Sequence, residues 1–414
     1  MSVIKDPSLA PMGIKKIEWV KEFMPVLAQI EERFKIEKPF EGLKIAVSVH
    51  LEAKTAYLGL VLRSGGADVA VTGSNSLSTK DDICAGLDAL GMNVYAWHGA
   101  TQEEYFEHLK QTLSFKPDII IDDGGDFVSL LHGECKEYAA NLIGGSEETT
   151  TGIHRLRARV KEGSLKFPMI AVNDANCKYL FDNVHGTGQS TWDAIMYTTN
   201  VMLTGKVLVV AGYGWCGSGI AQRARGLGAR VIVTEVNPFR ALEASMQGFE
   251  VMTMDEAAKE GDFFVTVTGC KDVIVKRHFE VMKHNAIVAN SGHFDIEFSK
   301  PDLRELAVSI EERRPFIEGY KLADGRIINV LADGRLVNIV AGNGHPADVM
   351  DLSFALQAMS ARHLALNGKN MSPDLYNVPK EIDYDIAIMK IKAMGLGLDK
   401  LTAEQEAYIN STGE

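Results

Sequence analysis

VLVVAGYGWCGSGIAQRARGLGARVIVTE, residues 207–235, comprises an apolar run, a glycine-rich turn, a helix-like segment and a second apolar run. Gly212, Gly214 and Gly217 have the spacing that lets a strand turn tightly into a helix and lets the backbone approach a pyrophosphate. Glu235 lies 23 residues after Gly212, where a carboxylate accepts the hydroxyls of an adenosine ribose and repels a 2′-phosphate. We therefore predict a Rossmann domain that binds NAD rather than NADP; the alternative is a tight turn without a ligand.

Short apolar runs that end in Gly, Asp or Asn recur on both sides of this stretch. They are LKIAVSV (43–49), ADVAVTG (67–73), NVYAW (93–97), DIIIDDG (118–124), MIAVND (169–174), DFFVTVTG (262–269) and NAIVANSG (285–292). Most are separated by enough residues for a crossover helix, which predicts two doubly wound parallel-sheet α/β domains with functional residues at the carboxyl ends of strands. Residues 188–203 predict one long helix between the domains, and the segments after His345 predict a helical C-terminal region.

The overall composition excludes several classes of function. The 414 residues carry 43 Lys and Arg against 55 Asp and Glu, a net charge of −12, which argues against nucleic acid or an anionic membrane as the main partner. The five cysteines are widely spaced without a C-x-x-C pair, so neither disulfides nor a metal site is expected. With no leader-like N-terminus and no long apolar run, we expect a cytoplasmic protein.

Several polar motifs are candidates for chemistry. The acidic turn DDGGD (122–126) follows an apolar strand, and crowded carboxylates raise one another's pKa toward the range of a general base; a solvated Asp-rich turn is the alternative. SEETTTG (146–152) is a second candidate for a functional site, and its alternative interpretation is a capped helix start. Lys178 and Asp182 share a helix face, for which an exposed ion pair is the usual outcome. His50 and His293 each end a strand, one in each predicted domain, which favours a shared site.

Nine motifs in order along nearly the whole chain closely resemble the S-adenosylhomocysteine hydrolase family. They are HLEAKT (50–55), DDGGD (122–126), SEETTTG (146–152), VNDANCKYLFDN (172–183), GTGQSTWDAI (186–195), VAGYGWCGSG (210–219), NSGHFD (290–295), GRLVN (334–338) and GHP (344–346). The resemblance implies a substrate domain (1–185, completed by about 346–375), an NAD-binding Rossmann domain (186–345) and a C-terminal helical segment (376–414). It also implies a homotetramer with a small-molecule nucleoside thioether as substrate.

The family mechanism implies roles for individual residues. Hydride passes from C3′ of the substrate ribose to tightly held NAD, the C4′ proton is removed, homocysteine leaves C5′, water adds, and the hydride returns. By motif position, Asp123 is the C4′ base, Lys178 and Asp182 bind the 2′- and 3′-hydroxyls, and His50 and His293 act at C5′. The substrate contacts implied are Glu52, Lys54, Thr55, Asp123, Glu148, Lys178, Asp182, Asn343 and His345. The cofactor contacts implied are Thr149, Thr150, Thr151, Asn183, Gly212, Gly214, Trp215, Cys216, Gly217, Ser218, Gly219, Glu235, Cys270, Ser291, Gly292, His293, Asn338 and His345.

The chain departs from the family pattern in three places. Arg240 stands where the family commonly has Asn, and the chain ends EAYINSTGE without the family's C-terminal Lys and Tyr. After His50 most members carry Thr-x-Glu to bind the adenine edge, whereas this chain carries Glu52 and Lys54, which reverses the polarity. We therefore predict a preference for S-inosylhomocysteine, as in archaeal members that use the deaminated substrate. The alternatives are ordinary adenosine specificity, an NAD-dependent dehydrogenase, and a non-catalytic homologue.

Overall fold

The computed structural model describes residues 2–412, and its strands form two separate sheets. In chain order the strands are β1 (Lys44–Ser48), β2 (Asp68–Thr72), β3 (Asn93–Val94), β4 (Ile119–Asp122), β5 (Gly144–Glu147), β6 (Met169–Ala171), β7 (Val207–Ala211), β8 (Arg230–Thr234), β9 (Glu250–Val251), β10 (Phe263–Thr266), β11 (Ala286–Asn290), β12 (Ala307–Arg314), β13 (Ile317–Leu322), β14 (Ile327–Leu331) and β15 (Leu375–Asn377).

Helices connect most of these strands and cover both sheets. They are α1 (Ala10–Glu22), α2 (Pro25–Glu37), α3 (Ala53–Ser64), α4 (Asp81–Ala89), α5 (Gln102–Ser114), α6 (Asp126–His132), α7 (Thr150–Lys161), α8 (Asn176–Lys178), α9 (Thr187–Thr199), α10 (Trp215–Gly226), α11 (Pro238–Met246), α12 (Met254–Glu260), α13 (Lys276–Phe279), α14 (Lys300–Leu306), α15 (Val337–Val340), α16 (Ala347–Asn367), α17 (Lys380–Ala393) and α18 (Ala403–Ile409). Within residues 2–412, no helix is long and apolar enough to cross a membrane.

The first sheet is parallel throughout and has the order β15-β6-β5-β4-β1-β2-β3. Its central strands are almost entirely buried because helices cover both faces, as their continuous apolar runs predict. The sequence analysis did not identify β5, whose residues GGSE lack an apolar run, or β15, which follows the long helix α16. The C-terminal part of the chain therefore returns to the first sheet, as predicted.

The second sheet has the order β12-β13-β14-β11-β10-β7-β8-β9. From β14 to β9 all neighbours are parallel, and β12 and β13 extend the sheet as an antiparallel hairpin. The predicted fold class, two doubly wound α/β units with helices at the C-terminal end, is confirmed. The hairpin was not predicted because most side chains of β12 are exposed and polar.

The helical connection between the two sheets differs in its bounds from the prediction. A π-helical segment, Tyr179–Gly186, continues directly into α9, so the helix begins well before Gly188. The predicted end at Leu203 is wrong, since α9 stops at Thr199. Asn200 has a left-handed backbone with φ of 53° and donates its N–H to Met196, which ends the helix.

Candidate active site

Three neighbouring strands of the first sheet present polar residues at their carboxyl ends. His50 follows β1, Asp123 follows β4, and Glu148 follows β5. The backbone turns sharply after Asp123 because Gly124 and Gly125 have φ values of 100° and 84°, which glycine adopts without strain. Parallel strands place their carboxyl ends at one edge, and this brings the three side chains to the same cleft.

Asp123 is buried beside His50. Its Oδ2 accepts a hydrogen bond from Ser74 at 2.6 Å and lies 3.6 Å from His50 Nε2. The other oxygen, Oδ1, is buried without a hydrogen-bond partner among residues 2–412. His50 Nδ1 lies 2.7 Å from Ser78 Oγ, which orients the ring. Burial lowers the pKa of His50, although the charge of Asp123 opposes this. The pair therefore offers an uncharged imidazole and an unsatisfied carboxylate oxygen to a ligand.

Asp122, the first carboxylate of the acidic turn, organises the backbone of that turn. Asp122 accepts backbone N–H bonds from Asp123, Phe127 and Val128 and so starts helix α6. Burial raises the pKa of Asp122 to about 7, and the nearby charges of Asp126 and Asp123 add to this. The rise in pKa predicted for the acidic turn is therefore found at Asp122, which organises the turn, and burial contributes more to it than the neighbouring carboxylates do.

Lys178 lies at the centre of a buried polar network. Its Nζ is 2.8 Å from Asp182 Oδ2, 3.2 Å from Glu148 Oε1 and 3.1 Å from Asn183 Oδ1. The side chains of Lys178 and Asp182 are only 6% and 1% exposed, so the predicted shared face is correct but the pair is not a solvated one. These three polar partners hold the ammonium in one position.

Electrostatics distributes the charges within this network. Burial lowers the pKa of Lys178, but the charges of Asp182 and Glu148 outweigh it and the net shift is upward. For Asp182, burial raises the pKa, yet Lys178 and His345 outweigh it and keep the group ionised. Burial raises the pKa of Glu148 to about 7 despite the opposing charge of Lys178. Glu148 is therefore the member that changes its charge near neutral pH.

Residues from α16 and its N-terminal loop complete the network from the other side. His345 Nδ1 lies 2.8 Å from Asp182 Oδ1, and Ser353 donates to Asp182 Oδ2 at 2.5 Å. Gln357 donates to Glu148 Oε2 at 2.5 Å. Sequence analysis missed Ser353 and Gln357, although two polar residues four positions apart in the apolar segment LSFALQAM are a usable signal.

The glycine-rich turn of the second sheet has the features of a pyrophosphate site. Gly212 has φ of 100°, and a Cβ on Gly217 would lie 2.0 Å from the carbonyl oxygen of Gly212, so the strand and helix meet there without side chains. A Cβ on Gly214 would meet no atom within 4 Å, and Gly214 makes no side-chain cap to α10. The first N–H groups of α10 are thus available to an anion.

Glu235 is held at the end of β8. Its Oε2 accepts from the backbone N–H of Tyr213 at 2.7 Å, and Oε1 accepts from those of Val236 and Asn237 at 2.7 and 2.9 Å. These bonds fix the carboxylate beside the glycine-rich turn, where it retains lone pairs for two hydroxyls.

Asn338 lies in α15, which follows β14, and His293 follows β11. Asn338 is 1% exposed, donates to Ser190 at 3.1 Å, and leaves its Oδ1 without a hydrogen-bond partner among the described residues. Such a buried carbonyl suits an amide N–H donor such as the nicotinamide carboxamide. A Cβ on Gly124 would lie 2.6 Å from His293 Nε2, so this histidine lies against the turn that follows Asp123. The chain's own residues thus fit NAD along the whole edge.

Glu52 and Lys54 form a pair in the segment that directly follows His50. Lys54 Nζ lies 2.7 Å from Glu52 Oε2 and 3.3 Å from the carbonyl oxygen of Asn343. Their side chains are 8% and 15% exposed for Lys54 and Glu52. Thr55 donates its hydroxyl to the carbonyl oxygen of His50 at 2.6 Å, which ties this segment to the Asp123 region.

Comparison with known proteins gives two family matches and many relatives. Residues 2–142 match the model described as S-adenosyl-L-homocysteine hydrolase, and residues 183–344 match its NAD binding domain. An adenosylhomocysteinase from Pyrococcus abyssi is 56% identical over 99% of this chain and 97% of its own. The chain belongs to the S-adenosyl-L-homocysteine hydrolase family. An S-inosyl-L-homocysteine hydrolase from Methanocaldococcus jannaschii is 54% identical over 100% of both chains, and one from Methanopyrus kandleri is 53% identical over 99% of this chain and 97% of its own.

Family membership confirms the predicted enzyme class and the NAD-binding domain. The activity at this level is hydrolysis of an S-nucleosyl-homocysteine, and the named relatives divide between two nucleosides at similar identity. The roles of individual residues in this family member stay predictions.

The residues that the family motifs assign to substrate or cofactor differ in their exposure and in their contacts. Cys270 is exposed, and its backbone N–H donates to the hydroxyl of Thr268 at 3.0 Å. Thr150 is exposed and its hydroxyl lies 3.4 Å from Asn173 Oδ1, while Thr149 caps α7 by accepting from Gly152. The capped-helix interpretation of SEETTTG is therefore correct for Thr149, and substrate binding by Glu148 stays a prediction.

Arg240, the departure in the NAD-binding motif, faces the glycine-rich turn from α11. Its guanidinium lies 5.0 Å from the ring centroid of Trp215 and its Nη1 is 2.7 Å from Glu243. Tyr179, from the π-helical segment, packs on the same indole with ring centroids 4.7 Å apart. Where the family commonly has Asn, this chain therefore places the guanidinium of Arg240 over the ring of Trp215.

Proposed function

We propose that the protein is an S-inosylhomocysteine hydrolase that cleaves its substrate to inosine and homocysteine with bound NAD. The observation that carries the proposal is the Glu52–Lys54 pair at 2.7 Å at the purine end of the cleft. The wider hydrolase chemistry is supported by the Lys178 network and by Asp123, whose Oδ1 has no partner among residues 2–412.

The ribose end supports the chemical steps. NAD, when bound, accepts the C3′ hydride and later returns it. Lys178 and Asp182 bind the ribose hydroxyls and favour loss of the O3′ proton, with Glu148 as a neighbouring acceptor. Asp123 removes the C4′ proton once C3′ is a ketone, because its free oxygen has no competing partner. His50 and His293, which lie beside Asp123 and Gly124, exchange protons with the leaving thiol and with water at C5′.

The purine end supports the choice of nucleoside. In the family arrangement, position 52 faces ring nitrogen N1 and position 54 faces the group on C6. Ionised Glu52 only accepts and Lys54 only donates. Hypoxanthine offers a donor at N1–H and an acceptor at O6, which matches both residues, whereas adenine offers the opposite pattern at both atoms.

The alternative is ordinary adenosine specificity. One observation favours it: Lys54 is already paired with Glu52, and the carboxylate's other oxygen is free to accept from an amino group. Two of the named relatives divide in the same way, since one is an adenosylhomocysteinase and one an S-inosyl-L-homocysteine hydrolase.

Steady-state kinetics separates the two candidates. We expect a higher kcat/KM for S-inosylhomocysteine than for S-adenosylhomocysteine in the wild type, and a reversed order in the double variant Glu52→Thr with Lys54→Glu. Matched polar groups discriminate by up to roughly 10⁴, and a flexible lysine gives less. Wild-type preference for the adenosyl compound would make the inosyl assignment wrong. A double variant that keeps the inosyl preference would assign specificity to other residues, such as Asn343.

The assembly and domain division belong to the same proposal. We expect a cytoplasmic homotetramer, with residues 1–185 and about 346–375 binding substrate, 186–345 binding NAD, and 376–414 forming a helical segment. The exposed apolar side chains near the C-terminus support an intersubunit role for that segment; they are Leu396, Leu398, Leu401, Tyr408 and Ile409. Light scattering of the purified protein measures the assembly.

A further inference from the structure

Lys80 lies next to the purine end of the cleft and has no role in the chemistry described above. It ends the loop that follows β2, and its backbone N–H donates to the carbonyl oxygen of Leu51 at 3.0 Å. This bond joins the Lys80 loop to the segment that carries Glu52. The same loop supplies Ser74 to Asp123 and Ser78 to His50, so it already lines the cleft.

The ammonium group of Lys80 lacks a counter-ion within the part of the chain that the structure describes. The two nearby acidic groups are each paired with a different lysine: Glu52 with Lys54 at 2.7 Å, and Asp82 with Lys16 at 2.5 Å. Among residues 2–412, Lys80 Nζ forms neither an ion pair nor a hydrogen bond. Glu52 and Asp82 are therefore already neutralised by other lysines, and Lys80 has no ion-pair partner of its own among the described residues.

The burial of Lys80 makes this arrangement costly without a ligand. The residue is only partly exposed. Burial lowers its pKa, the charge of Lys16 adds to this, and Glu52 opposes it. A partly desolvated ammonium without a protein acceptor is satisfied when a ligand acceptor enters the cleft.

The chemistry of a purine decides which ligand fits. An ammonium group only donates. A 6-oxopurine presents two adjacent acceptors, O6 and N7, along one edge, whereas a 6-aminopurine presents the donor N6 beside N7. Two ammonium groups at this edge match the first pattern and place donors against the amino group of the second.

We propose that Lys80 is a second specificity-determining residue, which donates to the O6 and N7 edge of a 6-oxopurine together with Lys54. This rests on the proposed function. It assigns the discrimination to a pair of lysines on two different segments, one in the first turn of α3 and one directly before α4.

Binding and kinetics of Lys80→Met and Lys80→Gln test this assignment. In the NAD-bound enzyme, we expect either variant to weaken inosine binding by at least about 10-fold, because a charge-assisted hydrogen bond is lost, while adenosine binding stays the same or improves. The ratio of kcat/KM for the inosyl over the adenosyl substrate should fall by the same factor. Lys16→Met is the matched control, since it removes a neighbouring charge that is paired with Asp82, and it should leave the ratio within twofold.

The outcomes separate this inference from the function on which it rests. If the wild type prefers the inosyl substrate and both Lys80 variants keep the full preference, Lys80 does not contact the base and the proposed function stands. If the wild type prefers the adenosyl substrate, both proposals are wrong. An equal loss of the ratio in Lys16→Met would show a general charge effect and overturn the role of Lys80. Thermal unfolding of each variant with NAD establishes that it is folded.

Discussion

The two ends of the cleft are built differently. At the ribose end, Lys178 contacts three side chains, and Asp182 in turn is held by His345 and Ser353. At the purine end, a single pair joins Glu52 and Lys54, and Lys80 stands beside it without an ion-pair partner in the described chain. Under the proposed function, the ribose chemistry therefore depends on groups that hold one another in place, whereas the choice of base depends on a few side chains with fewer contacts to the rest of the protein.

The largest effect is expected at the centre of the ribose network. Lys178→Ala removes the ammonium that binds the ribose hydroxyls and leaves Asp182 and Glu148 without their shared partner. We expect kcat to fall by at least roughly 10² for both nucleosides, with an unchanged ratio of kcat/KM between them. Steady-state assays with both substrates measure this, and a change in the ratio would mean that the two ends are not separate.

Asp123→Asn should block the reaction at a later step, the removal of the C4′ proton. Its kcat should fall by at least roughly 10², since the C4′ base is lost. Oxidation at C3′ precedes that step, so the variant should still form a bound species that absorbs like NADH when nucleoside is added. If no reduced cofactor forms in this variant, the assignment of Asp123 to the C4′ proton is wrong.

The Glu148 carboxyl adds a pH-dependent effect of intermediate size. Its folded pKa of about 7 lies above the ordinary value of 4.5, so the folded state binds an extra proton between these values. The contribution of Glu148 to stability should therefore decrease as pH rises from about 4.5 to 7 and stay level above that range. Glu148→Gln mimics the protonated form and should remove this contribution; Asp122 and Glu147, whose pKa values burial also raises, keep theirs. Unfolding temperatures across this pH range measure it, and an unchanged slope would contradict the shift.

The smallest effect is expected at Glu235, far from the reacting atoms. A ligand that binds only the folded state stabilises it in proportion to its affinity. Glu235→Ala should reduce the stabilisation by NAD more than that by NADP, because the carboxylate accepts from the ribose hydroxyls and repels a 2′-phosphate. Unfolding temperatures with each dinucleotide measure this, and equal losses would show that Glu235 does not contact the ribose.

How well each strand could be predicted from the sequence depends on its burial and on the length of its apolar run. Buried parallel strands such as β7 and β10 are continuous apolar runs, so pattern alone located them, and the glycine spacing located the turn. Strand β5 was missed because its residues GGSE resemble a loop, and the β12–β13 hairpin was missed because β12 faces solvent.

The residues of the candidate site also differ in how well the sequence predicts them. Local motifs placed Asp123, Lys178 and Asp182, but the contacts that hold them are distant in sequence. Ser353 reaches Asp182 and Gln357 reaches Glu148 only because α16 packs against the first sheet. The absence of a counter-ion for Lys80 likewise depends on how Lys54 and Lys16 pair, which no local pattern contains.

The proposed enzyme joins the family's ribose chemistry to a purine end that selects a 6-oxo base, and a competition experiment tests this combination most directly. S-inosylhomocysteine and S-adenosylhomocysteine are supplied together at equal concentration to the NAD-bound wild-type enzyme, and the consumption of both is followed in one reaction. We expect the inosyl substrate to be consumed first, with a ratio of kcat/KM of at least about 10. Equal consumption, or earlier consumption of the adenosyl substrate, would contradict it.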